Sequence, residues 1–373
     1  MYKIINKCRI CSSKKLTSII DLGKQAPANS LQKKISKQKE VPLNVMRCSK
    51  CTTLQLNATV SPKYLFSKYL WVTGTSNGVR NYRDFFIKQI KKRNQLGSKV
   101  LEIASNDGFF LKELKKNKFN VLGIDPAKNI AKKANKIGVK TLPIFFNKKN
   151  ALEIKKKYFA PDIVICRNVI PHVENINNVI SGISKILNKN GKAYIEFHYA
   201  ENLSKNLHYD YIYHEHIFYF TYHSINKLLN KHNLYPTDYF NSPISGGSIV
   251  LEISKKKLSI SKKLKKIIIK EKKNKLNSLK YWKNFNEKCL SHKKNLFKTI
   301  SKLKESIAGY GASARSSTLI NFCKIDNEKI KVIFDKNPLK HNLYTAGSNI
   351  KIIKPSKKDI KKFSNILILA WNF

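Results

Sequence analysis

Tyr211-Ile212-Tyr213-His214-Glu215-His216 sets phenols, imidazoles and a carboxylate side by side. Such a group can move protons near neutral pH, where histidine titrates. Drawn out as a strand, it would send Tyr211, Tyr213 and Glu215 to one face and His214 and His216 to the other. As a loop it could converge three of these side chains on one substrate.

Two other clusters could do chemistry on their own. Cys8-Arg9-Ile10-Cys11 and Cys48-Ser49-Lys50-Cys51 supply four thiolates at zinc-knuckle spacing. Cys8, Cys11, Cys48 and Cys51 would close a tetrahedral site with no position left for water, so the metal is expected to be structural Zn²⁺. Glu102-Ile103-Ala104-Ser105-Asn106-Asp107-Gly108 follows an apolar strand and opens a helix, and small residues there let backbone approach a ligand. Asp125 ends the next strand, where an acid accepts hydrogen bonds from ribose hydroxyls. Ala104 stands at the first glycine position and no GxGxxG follows, which argues against NAD. Glu102, at the end of the first strand, suits the amino-acid end of S-adenosylmethionine, a cation without phosphate.

Asn168 and His172 lie just beyond a further strand, Asp162–Cys166. Ligands of open α/β sheets sit at the carboxyl ends of strands, so both are expected at the pocket. Gly309-Tyr310-Gly311-Ala312-Ser313-Ala314-Arg315 is a second strand-to-helix glycine turn, with Asp335 ending the strand after it. Helix-start amides and Arg315 could hold phosphate there, giving a second nucleotide site.

These residues need elements to carry them. The 373-residue length suggests two or three domains. Residues 1–60 form a zinc-binding domain, and 61–96 read as helical. From Lys99 apolar strands alternate with helices, predicting a parallel sheet covered on both faces. The fold class is α/β: a zinc-binding domain, a central Rossmann-like domain over 61–240, a strand and helical connector over 241–305 and a C-terminal Rossmann-like domain over 306–373. Lysine-loaded residues 252–305 suit one or two long amphipathic helices joining domains, with a basic membrane-surface helix as the alternative. The net charge of +50 comes almost wholly from lysine spread along the chain, which fits compositional bias better than an arginine-built nucleic-acid groove. No apolar run is long enough to span a membrane, and Met1–Cys8 lacks the core of a signal peptide. A cytoplasmic protein, monomer or homodimer, with neither membrane nor specific nucleic-acid partner, is expected. Cys166, Cys289 and Cys323 are scattered, so no disulfide framework is expected.

In this order the motifs resemble the zinc-containing C-methyltransferases of nucleotide-activated deoxysugars. The resemblance runs through the CxxC pairs with Asp21-Leu22-Gly23 and Ala28-Asn29-Ser30, then Tyr69-Leu70-Trp71, Glu102–Gly108 and Asn168–Val173. It continues through Ile212–His216 with Tyr219-Phe220, Gly246-Gly247-Ser248, Gly309–Ala312, Asp335–Lys340 and Ala370-Trp371-Asn372. It implies a base, His216, that takes the proton beside a sugar keto group so that the enolate attacks the sulfonium methyl. It also implies that Tyr213 and Glu215 line the sugar, and that His172 and Tyr69 face the same pocket. The second βαβ unit, with Tyr310, Gly311, Ala312, Ser313, Arg315, Asp335 and Lys340, would hold a nucleotide-diphosphate sugar. The chain departs from the family at Ser245 and Val250, where His and Arg are usual, and it stops at Phe373, about one helix and one strand before family members normally end, either as a truncated chain or with a smaller nucleotide lobe. Two other readings stay open: an O- or N-methyltransferase on the same scaffold, and a zinc-bearing RNA-binding protein.

Overall fold

The computed structural model describes residues 1–61, 64–65 and 77–371. At the N-terminus, β1 (Tyr2–Ile4) pairs with β5 (Ala58–Val60). β2 (Leu16–Gln25), β3 (Val41–Cys48) and β4 (Leu54–Leu56) form an antiparallel meander. One Cys-x-x-Cys turn precedes β2 and the other joins β3 to β4, and the two share one geometry. Ser12 N–H returns to Cys8 O at 2.8 Å and Thr52 N–H to Cys48 O at 2.9 Å, with Ser12 and Thr52 both left-handed (φ 61° and 62°).

The central sheet begins after α1 (Asn77–Arg93). Its strands and helices follow in turn: β6 (Lys99–Ile103), α2 (Phe109–Lys116), β7 (Asn120–Ile124), α3 (Lys128–Lys136) and β8 (Thr141–Leu142). Then come α4 (Lys148–Lys157), β9 (Ile163–Arg167), α5 (Ile176–Ile186), β10 (Lys192–His198) and α6 (Ala200–Lys205). After β11 (Phe218–Tyr219) and α7 (Tyr222–Asn230), β12 (Tyr235–Ser242) and β13 (Ser248–Ser254) complete the sheet. Its order is β12-β13-β10-β9-β6-β7-β8, with β13 antiparallel to both neighbours. The strands read as continuous apolar runs because helices cover both faces; Val100, Leu101, Ile163, Val164 and Ile165 are fully buried. Tyr82 and Phe86 of α1 meet Phe110 of α2 and Phe240 of β12 in a ring cluster on one face.

The connector differs in detail from expectation. The division expected at residue 240 falls inside β12, and residues 252–254 belong to β13, so the central sheet extends to Ser254. The helical stretch is two helices, α8 (Lys262–Lys273) and α9 (Leu279–Lys302), capped by the Ser261 and Ser278 side chains. Their apolar stripe packs inward, with Leu264, Trp282, Phe285 and Cys289 buried, and α9 lies against β2. Among the described residues no helix is long and apolar enough to cross a membrane.

The C-terminal domain comprises β14 (Ile307–Tyr310), α10 (Ala314–Phe322), β15 (Ile330–Phe334), β16 (Lys351–Ile353), α11 (Lys357–Ile360) and β17 (Asn365–Ile368). Its strands form a parallel sheet in the order β16-β15-β14-β17.

The domains are stitched together around the motif loop. β11, which follows His216 directly, pairs not with the central sheet but with β4 of the zinc-binding domain (Phe218↔Gln55, Tyr219↔Leu54). A bridge between Gln32 and Tyr344 ties the first domain to the last.

Candidate active site

Residues 211–216 are not a strand. Tyr209–Tyr211 make a short 3₁₀ turn, and His216 N–H bonds Tyr213 O at 2.8 Å across a tight turn. The alternation argument therefore does not apply. The turn folds Tyr213 back so that its hydroxyl lies 2.8 Å from His216 Nε2. His216 Nδ1 lies 2.8 Å from Tyr211 O. A carbonyl can only accept, so Nδ1 carries the proton and Nε2 keeps its lone pair, accepting from the Tyr213 hydroxyl. Burial, reinforced by the nearby His172 ring, holds His216 well below the usual imidazole range. It is neutral at pH 7 and fit to accept a proton. Burial likewise holds Tyr213 protonated, well above the usual phenol range.

His172 lies beside His216. Its ring centroid lies 4.8 Å from that of His216, and burial pushes it down to about 4. Glu215 accepts from Asn29 Nδ2 of the zinc-binding domain at 2.5 Å, and its charge adds to burial in raising Tyr213. Burial raises Glu215 above the usual carboxylate range, with the Asn29 bond opposing. His214 bonds Val41 O of the same domain at 3.1 Å. The first domain thus holds the loop from both sides. Tyr69 lies outside the described residues.

The Glu102–Gly108 turn is shaped by backbone. Ala104, Asn106 and Gly108 are all left-handed (φ 54°, 51° and 76°). A Cβ on Gly108 would lie 3.1 Å from Ala134 Cβ and Val139 Cβ, so a side chain there would be crowded as well as left-handed. Asp125 fixes the turn: its carboxylate accepts from Asn106 N–H and Ala127 N–H, each at 3.0 Å. Burial raises Asp125 above the ordinary carboxylate value, the two amides opposing it. Glu102 is fully buried, and its Oε1 pairs with Arg167, whose guanidinium lies 3.3 Å over the Phe110 ring. Glu102 Oε2, Ser105 Oγ and Asn168 Oδ1 are buried without a hydrogen-bond partner among the described residues. Glu102 and Asn168 lie on or just beyond the adjacent strands β6 and β9, and Ser105 Oγ lies over Gly123 of β7, where an added Cβ would meet it at 2.5 Å. Buried acceptors left open together suit a polar, cationic group, as the amino-acid end of S-adenosylmethionine is.

The zinc ligands also fit. The Sγ atoms of Cys8, Cys11, Cys48 and Cys51 all lie within 4.8 Å of one another, with Cys8–Cys51 at 3.4 Å and Cys11–Cys48 at 3.6 Å. Zn–S bonds of about 2.3 Å in a tetrahedron need S···S edges near 3.8 Å.

The second glycine turn is more self-contained than expected. Ser313 caps α10 and is bonded in a capping box with Ser316. Asp335 accepts from Ala312 N–H and Asn337 N–H, each at 2.8 Å, and Lys340 Nζ sits 2.6 Å from Ala312 O and 3.4 Å from Asp335. Tyr310 and Gly311 are occupied in backbone bonds to Leu369 and Phe334. Arg315 departs from this set: it leans out of α10 onto the Tyr211 ring, with Cζ 5.0 Å from its centroid.

Several side chains at the site were not anticipated. His198 ends β10 by the same strand-end rule that picked out Asn168, and it stacks on Tyr211 at 4.1 Å. His208 and Asp210 carried no single-residue signal, because their roles come from contacts with Trp371 of the last domain; Asn29 and Trp371 stood in the motifs Ala28-Asn29-Ser30 and Ala370-Trp371-Asn372 with no role attached.

Family comparisons agree with this layout. Residues 8–66 match a zinc binding domain family, 79–238 a methyltransferase domain family and 243–373 the C-methyltransferase C-terminal domain family. The C-methyltransferase NovU of Streptomyces niveus is 26% identical over 381 residues, covering 99% of this chain and 90% of NovU. Solved structures match in part. The PH0226 protein of Pyrococcus horikoshii OT3 is 18% identical with a TM-score of 0.39, over 53% of this chain and 97% of that one. Magnesium protoporphyrin IX methyltransferase of Synechocystis PCC 6803, solved with bound SAH, is 15% identical with a TM-score of 0.37, over 47% of this chain and 82% of that one. Matched in sequence by methyltransferase domains and similar over nearly its whole length to a C-methyltransferase, the chain is an S-adenosylmethionine-dependent methyltransferase with a zinc-binding N-terminal domain.

Proposed function

We propose that the enzyme methylates a carbon beside the keto group of a nucleotide-linked deoxysugar, through an enolate formed at His216. The observation that carries this reading is the tautomer of His216. Tyr211 O fixes the proton on Nδ1, and Nε2 is left basic beside a protonated Tyr213 in a buried pocket. Similarity to the C-methyltransferase NovU and to the C-methyltransferase C-terminal domain family favours carbon over oxygen as the acceptor. Tyr213 holds the lone pair in place, and Glu215, anchored by Asn29, sets the other side of the turn. Bound S-adenosylmethionine would supply the electrophilic methyl carbon. Residues 306–373 would carry the nucleotide, with the sugar reaching the motif loop between the domains. This placement rests on the contact of α10 with the 209–211 turn and on Thr318 Oγ1 bonding Ile212 O at 3.0 Å.

The test is release of S-adenosylhomocysteine on incubation with a 4-keto-sugar nucleotide and S-adenosylmethionine. His216→Asn should abolish release while cofactor binding persists. Full turnover in that variant would remove His216 as the base.

A further inference from the structure

The guanidinium of Arg315 sits in an unusual position for a phosphate ligand. The residue is 6% exposed, and none of its three side-chain nitrogens has a hydrogen-bond partner among the described residues. Nε lies 3.6 Å from Asp210 Oδ2, an ion-pair contact too long for a hydrogen bond. Asp210 Oδ2 is itself held by Trp371 Nε1 at 2.9 Å, and the Trp371 ring covers the guanidinium with Cζ 4.6 Å from a ring centroid. Beside it, His198 is 4% exposed and neither ring nitrogen has a partner among the described residues. Buried donors left unpaired are costly, and here they cluster in one place.

That place adjoins the base. The Tyr211 ring is bordered by His216 (centroids 4.0 Å), by His198 (4.1 Å) and by the Arg315 Cζ (5.0 Å). One aromatic platform therefore carries a proton acceptor, a second imidazole and an unspent cation.

We propose that Arg315, with His198, forms the oxyanion site that receives the substrate's carbonyl oxygen while His216 removes the proton from the adjacent carbon. This rests on the enolate reading above. His216 Nε2 takes the proton, the C–H electron pair becomes the new C=C bond, and the C=O π pair moves onto oxygen. There the N–H groups of Arg315 and His198 meet the developing charge. With S-adenosylmethionine bound, the pair on oxygen would return to restore C=O as the C=C pair bonds the methyl carbon and the C–S pair leaves on sulfur, giving S-adenosylhomocysteine. Asp210 and Trp371 are positioning residues: they hold the guanidinium without using its hydrogen bonds. Because Arg315 comes from the first turn of α10, the C-terminal domain completes the reaction site as well as holding substrate. A diphosphate is the poorer occupant. The α10 turn already spends Ser313 and the Ala312 amide on itself, and the guanidinium lies under an indole ring.

The test uses the full-length, zinc-loaded protein and a 4-keto-6-deoxyhexose linked to thymidine diphosphate, in deuterated water without S-adenosylmethionine. Exchange of the proton beside the keto group is followed by NMR. At saturating probe, Arg315→Met should slow exchange by about 10²-fold or more, as loss of an oxyanion donor does, with Arg315→Lys intermediate and the probe's Kd changed by less than about threefold. Exchange in both variants within about threefold of the parent would overturn the proposal. So would a large loss of probe binding with the saturated rate unchanged, which would return Arg315 to a phosphate role. No exchange in the parent enzyme, with S-adenosylhomocysteine still released, would overturn the enolate reading and this proposal with it.

Discussion

The chain builds a strand–turn–helix–strand unit twice, at β6-α2-β7 and at β14-α10-β15, and in each an aspartate ends the second strand. Asp125 and Asp335 make the same bonds. Each accepts one amide from the turn after the first strand and one from two residues downstream of itself. The turns they brace differ. Around Asp125, three left-handed residues and the orphaned oxygens of Glu102, Ser105 and Asn168 leave an open cradle. Around Asp335, Lys340 and the Ser313 capping box close the turn on itself. An acid at the end of a second strand is thus a brace in both units, and the two turns differ in the polar groups left over.

Replacing the two aspartates separates these roles most sharply. Either Asp125→Ala or Asp335→Ala leaves two amides unpaired and should cost about 2–4 kcal/mol of stability, measured by denaturant unfolding. Only Asp125→Ala should also weaken S-adenosylmethionine binding, by about tenfold or more, as for loss of a charged hydrogen-bonding group. Equal losses of cofactor affinity in both variants would break the comparison.

Acid should strike the central unit. Burial pushes His172 and His208 down to about 4, whereas in the unfolded chain they ionise near 6.5. The unfolded state binds more protons between those values, so stability is fully present above pH 6.5 and is lost as the pH falls toward 4. The Tm should drop over that window, and His172→Asn should flatten the drop. An unchanged slope in that variant would put the acid-sensitive group elsewhere.

Ser313→Ala, which removes the cap of α10, should cost about 1 kcal/mol with cofactor affinity unchanged. Lys340→Met should cost less, below about 1 kcal/mol, since the Lys340–Asp335 pair is partly solvated. A cofactor-affinity change in either would argue that the second turn communicates with the first.

These contrasts also mark how far the chain could be understood from its letters. The two Cys-x-x-Cys turns, the βαβ rhythm and the Glu102–Gly108 turn were legible because each is written in a few adjacent residues. The fate of Asp335 was not, because its position at a strand end is the same whether it braces a turn or binds ribose. The motif loop was ambiguous for a local reason: tyrosine, histidine and glutamate alternate equally well in a strand or a turn. Its conformation is settled from outside, by Asn29 and Val41 of the first domain and Thr318 of the last. His198, Asp210, Arg315 and Trp371 meet across as many as 173 positions of chain (371 − 198), a separation at which no local pattern operates. Ser254, at the end of a strand and not the start of a helix, shows the cost of following helical spacing through a lysine-rich stretch.

The position of the transferred methyl group tests the central claim most directly. With carbon-13 in the S-adenosylmethionine methyl group and a 4-keto-sugar nucleotide as acceptor, NMR of the product should show the label bonded to the sugar carbon beside the keto group, and His216→Asn should yield no such product. A label found on oxygen or nitrogen, or carbon methylation at the full rate in His216→Asn, would contradict it.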